Sequence, residues 1–232
     1  MNHTTERFLI AGTLIIFALC IIYLFITEKL NFYVYPTHTF YITLSAFLLI
    51  LTGLYLLLFK KHIHLHLNNP SLLIALFIPV LLILSLPARP LYSDAALARG
   101  VIEDLPVFYN DTAFSFSVEP KNRQLLDWIK AFNADPEPNT YAGQEVKIKG
   151  FIVPSEIPHI FFLTQFYVAC CAADARPIAI PVKYPENFSP KKDEWVEVEG
   201  VMKSGDMKGE RKVIIEMKQA TPIPTPSNPY AF

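Results

Sequence analysis

Residues 8–27 carry no charged side chain and consist mostly of Leu, Ile, Phe and Ala. About 20 such residues cross the hydrocarbon core of a bilayer as one helix, the only open-ended way for a backbone to satisfy its polar groups in lipid. Arg7 precedes the run and Glu28-Lys29 follows it. A cleaved signal is not expected: the apolar run is too long, the amino-terminal charge is thin, and no small-x-small site follows. A second run, 37–59, ends in Lys60-Lys61, and Tyr33, Tyr35, Tyr41 and Tyr55 suit the interfacial belts of a bilayer. A third, about 71–87, is shorter and contains Pro79. Neighbouring helices in lipid can meet the carbonyl that a mid-span proline frees. The expectation is a three-helix anchor over residues 1–88, with spans at about 8–27, 37–59 and 71–87. A mean hydropathy of +0.32 over 232 residues agrees with it.

Three spans put the amino terminus and the carboxy-terminal half on opposite sides of the bilayer. Arg7, Lys60 and Lys61 fall on one side and Lys29, Arg89 and Arg99 on the other. The short tail and the Lys60-Lys61 pair favour the first side as cytoplasmic, so the carboxy-terminal domain is expected outside. No span holds Asp, Glu, Lys or Arg, the residues that transport pathways generally use. The chain is therefore not expected to transport by itself. Gly12 and Gly53, with Ala11, Ala18, Ser45 and Ala46, offer sites for close helix approach, and Cys20 reads as a small apolar residue. Between the second and third runs, His62, His64 and His66 alternate with Ile63 and Leu65. An extended chain would place the three imidazoles on one face, a candidate metal perch whose bland alternative is a solvated loop.

The pattern changes after residue 88. Residues 89–140 read as a linker with short helices. One follows a cap at Ser93-Asp94; the other, over 123–133, has Leu125, Leu126, Trp128, Ile129 and Phe132 at helical spacing. From 141 to 221 the period becomes two, with five strand-like runs starting near Gln144, Ile160, Pro177, Trp195 and Arg211. Gly150 suggests a bulge and Gly205-Asp206 a turn. The expected domain is an all-β, OB-like small barrel with a short helix, in which Glu145-Val146-Lys147-Ile148-Lys149-Gly150 and Trp195-Val196-Glu197-Val198-Glu199-Gly200 form its first and fourth strands. Residues 222–232 form a Pro-rich tail whose Tyr230 and Phe232 are expected to be pinned on the barrel or a partner. Phe161, Phe162, Phe166 and Tyr167 could make a stacking platform. A net charge of -1 supplies no electrostatic footprint, so nucleic acid is not an expected partner.

Within the barrel, Cys170-Cys171-Ala172-Ala173-Asp174-Ala175-Arg176-Pro177 holds two of the three cysteines. Four readings of this segment stand side by side. In the first, Cys170, Cys171 and Asp174, with His159 in reach, bind zinc or another soft metal. Adjacent residues of a strand point to opposite faces, so this needs a turn. Two neighbouring cysteines also lack the spacing of a closed structural site, which favours a transient or shared one. The second is a redox pair. The third, a cysteine nucleophile, needs a base and an orienting group and is the weakest; no enzyme activity is expected. The fourth is packing, with Asp174 turning the loop and Arg176 paired to it.

The set Gly143, Gly150-Phe151, Cys170 to Pro177, Trp195 to Gly200 and the terminal Pro229-Tyr230 resembles the YcgQ-like family of permease subunits, and the likeness runs over nearly the whole chain. The resemblance implies a multi-pass protein of the bacterial plasma membrane, whose partner is a larger, separately encoded permease of many spans. The functional expectation is an accessory subunit whose extracytoplasmic barrel binds or gates a soft metal ion or thiol-reactive solute. The alternatives are a membrane-tethered thiol redox protein and a structural scaffold.

Overall fold

The computed structural model describes residues 3–59, 70–100, 119–207 and 209–232. They form two compact units, Met1–Pro90 and Leu91–Phe232. His62, His64 and His66, and residues 101–118 of the expected linker, lie outside the described residues.

In the first unit, α1 (His3–Ile26) and α2 (Pro36–Leu58) are long and apolar enough to cross a membrane. They pack antiparallel through Ile10, Ala11 and Leu56. Gly53 permits the approach: a Cβ there would lie 2.7 Å from the Ile15 side chain and 3.1 Å from the Ala11 carbonyl oxygen. Gly12, expected to share this role, has open space around it. Cys20 is buried among the helices. The third run forms α3 (Pro70–Ser85), a helix of 16 residues with Pro79 inside it. At 1.5 Å per residue it measures about 24 Å, short of a ~30 Å hydrocarbon core. Among the described residues, the helices that meet the length of a span are thus two.

The second unit is a closed five-stranded barrel, built from β1 (Glu145–Pro154), β2 (Ile160–Tyr167), β3 (Arg176–Lys183), β4 (Trp195–Met207) and β5 (Glu210–Pro222). The strand order β1-β4-β5-β3-β2 returns to β1, which pairs with both β4 and β2. All neighbours are antiparallel except β3 and β5. The two sequence-similar segments are the first and fourth strands, and the structure pairs them with each other.

Two departures from the expected strand details have local causes. The register shift lies at Glu199/Gly200 in β4, not at Gly150. Gly150 is instead a close approach: it sits where β1 begins to pair on both sides, and a Cβ there would stand 2.8 Å from the Thr164 carbonyl oxygen. Gly205 and Asp206 continue β4, pairing with Lys212 and Arg211, and the chain reverses only between Met207 and Glu210. Gly209 supplies the required positive φ of 88°, and Asp206 accepts its N–H at 2.9 Å.

The unit has two apolar cores. The inner one fills the barrel with alternate residues such as Ile148, Ile152, Phe161, Leu163, Ile180 and Met202. Helix α5 (Leu125–Ala134) joins it through Leu125, Trp128, Ile129 and Phe132. A capping box starts this helix: Asp127 accepts the Gln124 N–H at 2.9 Å, and the Gln124 side chain takes the N–H of Asp127 in return. Tyr141 donates to the carbonyls of Ala131 (2.6 Å) and Asp135 (2.8 Å). Burial, and then the Asp135 carboxylate, push its phenol up to about 12. The outer core lies against the other face of β1, β2 and β3 and contains Phe151, Phe162, Phe166, Val168 and Trp195. It explains why β1 is buried on both faces from Gly150 to Val153.

Helix α4 (Ser93–Ala98) and the tail cover this outer face. Ser93 was expected as a helix cap, but Tyr92 holds the N-cap position and Ser93 works as a tie. Its N–H donates to Asp193 Oδ1 at 2.8 Å, and its hydroxyl reaches the Ile152 carbonyl at 3.2 Å and the same carboxylate. The tail ends in β6 (Tyr230–Ala231), a two-residue parallel addition to the end of β2. Tyr230 is buried there and its hydroxyl accepts the Leu91 N–H at 3.1 Å. Phe161, Phe162 and Phe166, candidates for a stacking platform, are buried in the two cores. Strands 2 and 3 carry the ligand face in OB-type barrels; here α4 and the tail occupy it.

Candidate functional site: a thiol–carboxylate loop

The cysteine segment begins where β2 loses its ladder. Val168 still donates to the Ala231 carbonyl at 3.1 Å; beyond it the chain turns. The Asp174 N–H closes the turn on the Cys171 carbonyl at 3.0 Å. The Asp174 carboxylate then collects the amides that the lost ladder leaves over. Oδ1 accepts from Ala169 at 3.1 Å, and Oδ2 accepts from Cys170 at 2.8 Å and Cys171 at 3.3 Å. A carboxylate holding three N–H groups is a local substitute for strand pairing.

This turn removes the geometric objection to two adjacent cysteines sharing a ligand. The sulfurs stand 3.6 Å apart, on the same side of the chain. Two thiolates on one tetrahedral zinc, each at about 2.3 Å, would stand about 3.8 Å apart. A ligand atom from each of Cys170, Cys171 and Asp174 lies within 4.8 Å of the others. Cys170 is exposed and Cys171 half-buried. The loop thus presents two soft donors and one hard donor to solvent, an open three-donor set.

The electrostatics of the loop keep the proton on sulfur. A hydrogen bond to the Asp174 carboxylate, then one to Cys171, pushes the Cys170 thiol up to about 12. Desolvation pushes the Asp174 carboxyl upward. The hydrogen bonds from the Cys170 thiol and from the amides of Cys170, Ala169 and Cys171 outweigh it and hold the group below its ordinary value. A protonated thiol beside a carboxylate is the opposite of an activated nucleophile, which needs a lowered pKa. A bound cation reverses this balance, because it stabilises the thiolate that the carboxylate disfavours.

Of the other proposed ligands, His159 is not brought to the thiols. It precedes β2 whereas Cys170 follows it, so eight strand residues, roughly 26 Å, intervene. It sits at a φ of 59° beside the Tyr184 ring, with ring centroids 5.7 Å apart. Arg176 makes no ion pair with Asp174 among the described residues; it begins β3 opposite Tyr167. The cation bonded to the loop is Arg99, which the sequence offers only as one of the charges beyond the anchor. From the end of α4 it donates to the carbonyls of Ala175 (2.6 Å) and Ala172 (3.2 Å), and it lies 5.9 Å from the Phe166 ring centroid. No local pattern links residue 99 to residue 172; only the docking of α4 does.

The fold and the loop define a membrane-associated protein whose compact barrel exposes a paired thiol and carboxylate. Residues 114–232 match the DUF1980 C-terminal domain, and the chain belongs to that family. No curated protein matches the chain significantly.

Proposed function

We propose that this chain is an accessory subunit of a bacterial plasma-membrane permease, of the YcgQ-like kind, and that its barrel captures a soft metal ion and passes it on. Cys170, Cys171 and Asp174 are the ligands, and zinc is the first ion to test. The observation that carries the reading is the convergence of their donor atoms within 4.8 Å on an exposed loop. Three protein donors leave a fourth position free, which suits an ion held for transfer better than one held for structure. In this reading α3 inserts as a third span, shortened or helped by local thinning of the bilayer. The OB-type barrel then lies outside the cell, where the positive residues at Arg7, Lys60 and Lys61 direct it. The exposed apolar faces of α1 and α2, with Ile16 and Leu19 of the first and Phe40, Phe47, Leu51 and Leu58 of the second outward, serve lipid and the partner permease.

The test is metal content and affinity of the full chain purified in detergent under reducing conditions. Stoichiometric zinc that Cys171→Ser and Cys170→Ser each abolish is the expected result. A chain that binds no zinc, cadmium or copper(I) above the level of the double serine variant would refute metal capture. The subunit claim has its own test. A larger membrane protein should copurify with the chain, and deleting the chain should alter metal accumulation; failure of both removes it.

The 3.6 Å sulfur separation also favours a second reading, a thiol redox pair. In it the two thiols lose two hydrogens to an external disulfide, forming a Cys170–Cys171 bond and two reduced thiols on the oxidant. Intact mass after non-reducing purification separates the readings: a loss of two hydrogens, reversible by dithiothreitol, belongs to redox and not to metal capture.

A further inference from the structure

The Asp174 carboxylate satisfies the loop's donors from within, but its acceptors are met from outside. Ala172 and Ala175 flank the acid in the turn, and both of their carbonyls receive Nη1 of Arg99. A guanidinium is suited to this, being planar, permanently charged and able to serve two acceptors at once. The guanidinium carbon also lies over the ring of Phe166, 5.9 Å from its centroid. Arg99 itself is placed by α4. That helix is tied down at its start by Ser93 on Asp193 and Ile152, by Lys192 on Asp94 at 2.6 Å, and by the buried Ala96. It is also the first helix after the anchor unit ends at Pro90.

We propose that Arg99 is the positioning residue of the thiol–carboxylate loop, so that α4, a segment outside the barrel strands, sets how tightly the loop holds its ion. The proposal rests on the metal-capture reading for its affinity consequence, but not for its structural one. With Arg99 in place, the turn from Cys171 to Ala175 is held from both sides and the three donor atoms stay converged. With α4 displaced, the two carbonyls turn to water, the turn opens, and the ion keeps only the donors that one flexible loop can bring back. A site that must release its ion to a partner needs such a handle, and α4 connects it to the segment leading out of the anchor.

The experiment uses the full chain in detergent, as wild type, Arg99→Ala and Arg99→Lys, with zinc as the probe. Two readouts are taken: zinc affinity by competition with a chromophoric chelator, and amide hydrogen exchange without metal. For Arg99→Ala, zinc affinity should fall about tenfold, the scale of losing charge-assisted bonds. Exchange at 169–176 should quicken at least fivefold, with β1, β4 and β5 unchanged. Arg99→Lys should recover part of both, since both bonds leave one nitrogen, Nη1, and an ammonium can donate to two carbonyls, but its compact, strongly hydrated head gives up the planar contact with Phe166. Unchanged loop exchange in Arg99→Ala overturns the proposal, as does faster exchange spread over the whole barrel, which would make Arg99 a general stability residue. If wild type binds no zinc but loop exchange still quickens, metal capture fails and the positioning role stands. If zinc binds to wild type and Arg99→Ala with equal affinity, the positioning role in capture fails and the metal reading stands.

Discussion

The two cores of the barrel unit are built by different rules. The inner core is made by alternation within strands and by one amphipathic helix; its strand residues face inward while their neighbours in sequence face outward, and α5 adds residues at helical spacing. The outer core is an assembly of distant pieces: α4 from before the barrel, Tyr230 from the end of the chain, and the outer faces of β1, β2 and β3. The thiol–carboxylate loop hangs from the outer core, through Val168, Ala175, β6 and Arg99. The difference separates what makes the barrel from what shapes its site, and it can be challenged by perturbing each in turn.

The largest effect is expected from the inner core. Phe161 is fully buried within the barrel, with the Tyr184 and Phe188 rings beyond it. Phe161→Ala should cost about 3–5 kcal/mol, the range for deleting a buried aromatic ring. Chemical denaturation followed by tryptophan fluorescence would measure it, and a drop below 1 kcal/mol would show that the interior is not close-packed. Next in size is removal of Tyr230, Ala231 and Phe232. This takes away β6 and the Tyr230 bond to Leu91 but no barrel strand. The expected loss is about 2–3 kcal/mol, mostly apolar area returned to water. Amide exchange should rise at 91–99 and 166–176 while β4 and β5 stay protected. Uniform deprotection would mean that the two cores unfold as one. Ser93→Ala should follow at about 1–2 kcal/mol, because it removes a buried hydroxyl and leaves the Ile152 carbonyl with one partner fewer.

The same division explains what could be read from residues alone. Period-two alternation in 145–149 and 195–201 exposes β1 and β4 as strands, and apolar length exposes α1 and α2, because each signal is local. The shortness of α3 was visible in the same way. The cysteine loop was legible as chemistry, since Cys170, Cys171 and Asp174 lie within five residues. Arg99, the Ser93–Asp193 tie and the Tyr230–Leu91 bond were not legible. Each joins residues at least 73 positions apart, and two of the three end on backbone groups of apolar residues, Ala172 and Leu91, which no side-chain pattern marks. Arg176 was misjudged as the partner of Asp174 for the complementary reason: closeness in sequence is no guide once β3 carries the residue away from the turn.

The smallest effect on global stability, and the sharpest on the site, should come from Asp174→Asn. The change keeps one of the two oxygens that accept the amides of 169–171, replaces the other by an NH2 group, and removes the negative charge. The barrel should stay folded, with its melting temperature within about two degrees of wild type, since the half-buried group belongs to neither apolar core. The Cys170 thiol, held up at about 12 by the carboxylate, should return toward its ordinary value of 9.0. At pH 8 its alkylation by iodoacetamide, located by mass spectrometry, should speed up about tenfold or more. In wild type the rate should still be climbing above pH 10. The acid limb has the opposite sign. Asp174 titrates below 3.8 in the folded loop, so its hold on the amides is complete above that pH and fades as pH falls through the lower folded value. Loop exchange in wild type, corrected for the intrinsic rate, should therefore quicken at the acid end, and in Asp174→Asn it should lose that dependence. A Cys170 that alkylates at equal rates in both proteins at pH 8 would mean that the carboxylate does not reach the thiol. The outer core would then shape the turn without shaping its chemistry.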